Sequence, residues 1–462
     1  MSESSYYYRF FDQVESRIDE NYNNPKYDEI NEILSKTRFK TIVALGDPNC
    51  LKNITSGKTP RSIEYIDNGI PFMGGSNIQC GKLELEDAPK ISPEMHESIL
   101  KSSQIRKDDV LISMAGTIGR CAVYTYSEEC NANQAVAILL LNTDNLIPEF
   151  LAHYLNSRVG QLFFGKLQHI SSQPNINLDE IKKIKIVLPE RLKQEDILEK
   201  VKVMEIEAIK QDAEAIKARE EAENFLLSEL GISLPLEEKV DYYSFDFNDI
   251  ENRISYGNYH PSVRQLNDIL NKAKYEVMAL DNLINLQNDS IEPSKNKETE
   301  YNYIGLENIE SNTGRLRDMQ KMRGKDILSK SNIFKKSQLM FSGLRPYLNK
   351  CFILEDYDEA IGSAELFVCE PKEGVSSSFL KWFILSEAIL RQTRWILSGA
   401  SYPRLDEYDF LNLKIVIPDD YDEQVRIARR VEEKIVDASV KEKNAKENWD
   451  KANSLFEELI FI

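Results

Sequence analysis

Two long stretches of the chain repeat their apolar positions every seven residues. In residues 190–230, which contain no Gly and no Pro, Val201, Ala208, Ala215 and Ala222 form one row. Ile197, Met204, Ala218 and Phe225 form a companion row whose one polar break is Gln211. A sustained heptad of this kind predicts a long helix that needs a partner helix. The partner lies in the same chain. Residues 419–459 are also free of Gly and Pro, and Val431, Ala438, Ala445, Ala452 and Leu459 step by seven. The offset from Val201 to Val431 is 230, and the same offset links Ala208 to Ala438, Ala215 to Ala445 and Ala222 to Ala452. In a chain of 462 residues the second helix is therefore the first one repeated half a chain later. The small side chains of both rows would let the two helices approach closely.

Outside these helices the apolar runs are short and punctuated by Gly, Pro and Asn, the pattern of β-strands joined by turns. In the first half the runs fall at 70–78, 109–124 and 135–141, within a β-rich segment over 41–141. In the second half they fall at 301–309, 338–354 and 364–370, within 276–369. Each half opens alike, with Arg17-Ile18, Pro25 and Leu34 echoed by Arg253-Ile254, Pro261 and Leu270. Pro25 and Pro261 should each start a short amphipathic helix, since proline is tolerated in a first helical turn. Residues 148–160 and 378–389 read as one further helix in each half. A polar loop follows (171–177 and 398–405), then a short strand (183–189 and 412–418), and Pro189 and Pro418 hand the chain to the long helices. The order is globular half, helix, globular half, helix.

Length and composition, 42% hydrophobic and 29% charged, fit a soluble globular protein of two or more domains. No apolar run approaches the ~20 residues of a membrane span, and the N-terminus shows no signal peptide. The six cysteines have no CxxC spacing, and the four histidines (96, 153, 169, 260) do not cluster along the sequence. Neither a disulfide scaffold nor a metal site is expected, and reduced thiols fit a cytoplasmic location. The net charge of −18 argues on its face against nucleic acid. Residues 190–230, however, hold seven Lys/Arg against twelve Asp/Glu, so an acidic helical spacer can coexist with basic loops elsewhere.

Catalytic signatures are missing. There is no GxxxxGK[ST] phosphate loop and no HExxH. Asn24-Pro25-Lys26-Tyr27 approximates an amino-methyltransferase loop, but Lys26 stands where a second proline is needed, so a helix start is the better reading. Pro418-Asp419 with Glu432-Glu433-Lys434 mimics a nuclease motif, but the last three residues lie on the heptad helix as ordinary solvated positions. No catalytic residue and no cofactor of the chain's own is expected.

What remains are polar loops at equivalent places in both halves. Arg and Lys can read guanine and grip phosphates, while Asn and Gln can read adenine. In the first half the candidates for DNA contact are Lys58, Thr59 and Arg61, then Asn77 and Gln79, then Thr117 and Arg120. Asn133, Gln134, Ser172, Gln173 and Asn175 complete that set. In the second half they are Arg315, Arg317, Lys321 and Arg323, then Arg345, Tyr347, Asn349 and Lys350, and finally Ser401, Tyr402 and Arg404.

In their order from end to end, these motifs resemble the DNA-specificity (S) subunits of type I restriction-modification enzymes. The first half carries SGKTPRS, IPFMGGSNIQCGKL, DVLISMAGTIGRCAVY, NANQAVAIL and SSQPNINLDEIKKIKIVLP, followed by a helix opening with Gln194. The second carries SGLRPYLNKCFI and SGASYPRLDEYDFLNLKIVIP, with Gln424 opening its helix. It departs from the pattern where Ser290-Ile291-Glu292-Pro293 replaces the G-x-T-P loop. The RID…NPKY opening also resembles S-like subunits of fused restriction-methylation systems. The resemblance implies an α+β chain of two pseudo-repeated α/β target recognition domains, 1–189 and 232–418. Two long spacer helices, 190–231 and 419–462, would separate them as an antiparallel coiled coil. It implies a non-catalytic adaptor whose halves each read one half of a bipartite, gapped double-stranded DNA site. A helix of ~40 residues is ~60 Å long, enough to set the half-sites about one to two turns apart. The implied partners are two methyltransferase (M) subunits, which bind S-adenosylmethionine, with a restriction/translocase (R) subunit left open. The competing reading is an acidic interaction or inhibitor protein, a DNA mimic acting on such complexes, supported by the charge of −18. A stand-alone nuclease or methylase would need the motifs that are missing.

Overall fold

The structure is a computed structural model that describes residues 17, 19–86, 88–169, 174–236, 243–244, 259–317, 319–397 and 403–462. Ile18 and the Arg253-Ile254 opening of the second half lie outside the described residues. The chain divides into two units, Met1–Lys210 with Asn444–Ile462, and Gln211–Lys443.

In the first unit Asn24 caps a 3-10 turn, Pro25–Asp28, by accepting from the Lys26 N–H, and the turn runs into the helix Glu29–Lys36. The strands are β1 (Ile42–Ala44), β2 (Leu51–Ser56), β3 (Tyr65–Met73), β4 (Lys90–Ile91) and β5 (Gln104–Ile105). They continue as β6 (Val110–Ser113), β7 (Cys121–Val123), β8 (Cys130–Ala132), β9 (Val136–Leu141) and β10 (Lys185–Val187). One four-stranded sheet has the order β2-β9-β6-β7, a second has β4-β3-β8-β5, and β1 pairs with β10. β6 is buried on both faces, which explains its unbroken apolar run. Val110 and Ile112 join a core with Leu139, Phe150 and Phe164, whereas Leu111 joins a smaller core with Met73, Val136 and Ile138.

The second unit repeats this plan. Its strands are β11 (Glu276–Ala279), β12 (Ile284–Gln287), β13 (Ser290–Ile291), β14 (Glu300–Ile304), β15 (Gln320–Arg323) and β16 (Ser331–Lys335). β17 (Leu339–Ser342), β18 (Cys351–Ile353), β19 (Glu359–Ser363), β20 (Leu366–Pro371) and β21 (Lys414–Ile417) follow. The sheet β12-β20-β17-β18 matches β2-β9-β6-β7 strand for strand, and β11 pairs with β21 as β1 does with β10. The other sheet, β13-β16-β19-β14-β15, is the second sheet of the first unit with one strand added. Both keep a single parallel pairing, β3 with β8 and β14 with β19. The added strand β13 contains Ser290-Ile291, where the second half departs from the G-x-T-P motif.

The single helix expected at 148–160 is two helices, Pro148–Asn156 and Arg158–Leu167. Ser157 breaks it: its backbone is extended and its hydroxyl caps the second helix at Gly160 N. The second unit breaks likewise between Ser377–Ile384 and Glu387–Thr393, at extended Ser386.

The central helix, Arg191–Glu229, has 39 residues and the C-terminal helix, Tyr421–Phe461, has 41. Val201, Ala208, Ala215, Ala222, Val431, Ala438, Ala445 and Ala452 are all buried. Within the first unit Ile197 and Val201 share a core with Ala452, Phe456 and Ile460. Within the second, Arg219 pairs with Glu442 at 2.7 Å, Lys434 with Glu221 at 3.3 Å and Arg426 with Glu229, so the helices run antiparallel. Each helix is locked at its start by a buried glutamine. Gln194 accepts from Ile147 N at 2.9 Å and donates to Asn145 O at 2.7 Å and Pro189 O at 2.8 Å. Gln424, 230 residues later, accepts from Ser376 N at 2.8 Å and donates to Gly374 O at 3.1 Å and Pro418 O at 2.9 Å. Among the described residues no helix is long and apolar enough to cross a membrane.

Candidate nucleic-acid interface

In the first unit the register of one sheet gathers the polar loops. Ser56 pairs with Ala137 and Ser113 with Val136, so the loop after β2, the loop after β6 and the loop before β9 leave the same edge. Gly57 N donates to Val136 O at 2.9 Å and Lys58 N to Ala132 O at 3.0 Å. A methyl group at Gly57 would stand 2.0 Å from Asn133 O, so only glycine permits this backbone approach. Met114 N donates to Ala135 O at 2.7 Å, Ile176 N to Met114 O at 3.0 Å, and Ala115 bridges to Asn175. Gly116 and Gly119, at φ of 73° and 87°, make the tight turn that presents exposed Thr117. Arg120 Nη1 donates to Gln79 Oε1 at 2.5 Å, which joins the Asn77–Gln79 turn to the group.

The candidates differ in what they are free to do. Thr59, Arg61, Thr117, Gln134 and Asn175 are exposed. Lys58 is also exposed, with Nζ 3.3 Å from Ile99 O. Asn77 is occupied: its Oδ1 accepts from Gly74 N and its Nδ2 donates to Glu84 O, both at 2.8 Å. Asn133 Oδ1 accepts from Ala135 N at 2.9 Å, shaping its own loop. Ser172 and Gln173 lie outside the described residues.

In the second unit, Arg345 and Asn349 adopt left-handed backbone (φ 48° and 49°) at either end of the 3-10 turn Pro346–Leu348. Between them Tyr347 is 53% exposed. Asn349 is buried and donates through Nδ2 to Asn312 Oδ1 at 2.9 Å and Leu385 O at 2.7 Å. It thus ties the turn to the Ile309–Leu316 hairpin, which is closed by a bridge between those two residues. Arg345 N donates to Pro403 O at 2.7 Å and Leu405 N to Gly343 O at 2.9 Å, which brings Arg404 to the same edge.

Here several of the basic groups carry acidic partners. Arg404 makes two bonds to Glu365, at 3.1 and 2.8 Å, and they raise its pKa above the usual guanidinium value. Arg317 Nε lies 3.2 Å from Glu310 Oε1. Lys350 Nζ donates to Leu306 O at 2.6 Å, and burial lowers its pKa. Arg315, on the same hairpin, is half-buried. Lys321 and Arg323 are not brought to this edge. They sit on β15, where Arg323 faces Glu300 at the end of β14 away from the hairpin, 3.9 Å from Glu298 and from Glu300. Ser401 and Tyr402 lie outside the described residues. Sequence reasoning missed Glu310 and Glu365; Glu365 lies 39 residues from its arginine, so only the strand pairing reveals it.

The type I restriction modification DNA specificity domain matches residues 50–218 and 272–446, most of both halves. The chain belongs to this family. Each matched segment holds one complete set of the loops described above. The type I restriction enzyme EcoBI specificity subunit of Escherichia coli is 27% identical to this specificity-family chain over 172 residues. That match is 37% of this chain and 35% of the relative's length, so the chain spans about a third of the relative it matches. Crystal structures of the type I restriction-modification S subunit from M. genitalium and of the HsdS subunit from Thermoanaerobacter tengcongensis are also similar. The first is 12% identical with a TM-score of 0.42, covering 92% of this chain and 96% of that one. The second is 13% identical with a TM-score of 0.32, covering 91% and 96%.

Proposed function

We propose that the chain is the DNA-recognition subunit of a restriction-modification complex and has no catalytic role of its own. Residues 1–189 and 232–418 act as target recognition domains, each reading one half of a bipartite, gapped site. Residues 190–231 and 419–462 form the spacer that sets the gap. One observation carries this reading above the others: two copies of one sheet topology, both within the family match, gather polar and basic loops at the same sheet edge. The family gives no support to the acidic-mimic alternative.

Contact is assigned first to the exposed side chains Lys58, Thr59, Arg61, Thr117, Gln134, Asn175 and Tyr347. Arg120, Gln79, Arg317, Arg345, Lys350 and Arg404 are contacts that form when DNA replaces their present partners, and half-buried Arg315 contacts DNA from the same hairpin as Arg317. Asn77, Asn133 and Asn349 position the loops. Lys321 and Arg323 keep the DNA-contact role assigned from sequence, from outside the loop edge. Ser172, Gln173, Ser401 and Tyr402 keep the contact role assigned from sequence.

The long helices offer a surface for methyltransferase subunits, two per chain, which bring S-adenosylmethionine; an R subunit joins through them. Support comes from aliphatic side chains left in solvent. Leu192, Val203, Ile206 and Ile209 are exposed on the first unit's part of the central helix, and Val436 and Val440 on the second unit's part of the C-terminal helix. Such surface is characteristic of docking faces. The complex works where DNA is, in the cytoplasm. Mapping methylated positions in the host genome with the gene present and deleted tests the proposal. A two-part motif of fixed spacing that vanishes on deletion is expected; unchanged methylation overturns it.

A further inference from the structure

In the first unit two adjacent potential metal ligands, His96 and Glu97, meet a third, Glu129, from 32 residues further along the chain. His96 lies on the short helix Pro93–Glu97 and is 3% exposed. Its Nδ1 bonds to Oδ1 of buried Asn131 on β8. The Asn131 amide nitrogen donates to Leu100 O at 2.9 Å and lies 3.3 Å from Ser103 Oγ, which fixes Oδ1 as the acceptor. His96 Nδ1 therefore carries the proton of that bond. In the neutral ring Nε2 is left with a lone pair, and it faces two carboxylates, Glu97 Oε1 and Glu129 Oε1, each at 3.8 Å. The three atoms lie within 4.8 Å of one another.

We propose that His96 Nε2, Glu97 and Glu129 bind one divalent metal ion, with Zn2+ the best fit. One imidazole and two carboxylates suit zinc, and an open fourth position would face solvent. Ligands held at about 2.0–2.2 Å from a tetrahedral zinc stand about 3.3–3.6 Å apart. Each carboxylate oxygen needs to approach Nε2 by a few tenths of an ångström, the two oxygens must also settle at that spacing from each other, and both glutamate side chains are largely exposed and able to move. The imidazole is held by an amide acceptor on its far nitrogen, the arrangement that orients metal-binding histidines. Bound metal would tie the helix Pro93–Glu97 to the start of β8, whose far end leads into the Asn133–Gln134 loop. The second unit's β-rich segment has no histidine, so the site is peculiar to the first.

The test uses the full chain stripped with chelator. Zn2+ is titrated calorimetrically, and Co2+ is added to record the visible absorption of four-coordinate cobalt. One ion per chain is expected, with a rise in melting temperature. Glu97→Gln and Glu129→Gln, both surface changes, should each weaken binding at least tenfold and remove the thermal shift; His96→Gln should abolish binding. Cys80→Ser, which removes the exposed thiol, should leave binding unchanged. If the wild type binds no stoichiometric ion, or if both glutamine variants bind like it, the three groups form only an ion-paired cluster and the proposal is overturned.

Discussion

At the residue scale, two candidate arginines of the second unit, Arg317 and Arg404, are held by carboxylates of their own fold. Glu365 offsets the charge of Arg404, and Glu310 that of Arg317, so either arginine would attract a phosphate less than an unpaired one. Glu365→Gln should free Arg404, tighten non-specific DNA binding of the assembled complex several-fold at low salt, and steepen its salt dependence by about one phosphate contact. Binding curves at several salt concentrations check this. A second residue-scale feature concerns stability. His153 lies 3.2 Å from Glu205, yet burial lowers the imidazole pKa from 6.5 to about 4 and raises that of the carboxyl. A neutral imidazole bonded to Glu205 reconciles the two. Because the folded pKa is depressed, His153 favours the folded state above pH 6.5, and that contribution is lost as pH falls towards 4. The full change is about 3 kcal/mol. His153→Gln should flatten the fall in melting temperature of the first unit across that window, as hydrogen exchange resolved by unit would show. Neither feature was legible in the sequence. An arginine paired with a distant glutamate reads like a free one, and Asn77, an amide that caps a turn, reads like an amide that reads adenine.

At the element scale the sequence was far more informative. Heptad rows are long and local, so they identify both helices to within a residue or two. The strands β6 and β9 follow from their apolar runs, and Gly57, Gly116 and Gly119 mark turns that the structure contains. What stayed hidden needed tertiary context. Ser157 and Ser386 split helices whose apolar pattern continues across the break. β13 is two residues long and exists only because it pairs with β16. Gly57 gives an element-scale prediction. Since a methyl group there would meet the Asn133 carbonyl, Gly57→Ala should push the 57–61 loop off the 131–134 loop. In the assembled complex, affinity for the first half-site should fall at least tenfold, with the second half-site read as before, measured by binding to sites mutated in one half at a time.

At the scale of the whole molecule the duplication is the organising fact, and it was legible from the 230-residue offset alone. Total charge misled in one direction only. The −18 charge falls partly on the long helices, where carboxylates serve interhelical ion pairs such as Arg219–Glu442 and Lys434–Glu221. If the helices set the gap, then inserting one extra turn, about 5.4 Å, at equivalent points in both should lengthen it by about one to two base pairs. Both half-site sequences should stay the same, and methylome mapping of the inserted variant reads both at once. The most direct test of the central claim is an exchange of residues 40–180 for the same segment of another family member. The methylated motif of the assembled complex is then determined. One half-site should change to that of the donor while the other half and the gap persist. A motif that is unchanged, or that changes in both halves together, would contradict the assignment of one target half to each domain.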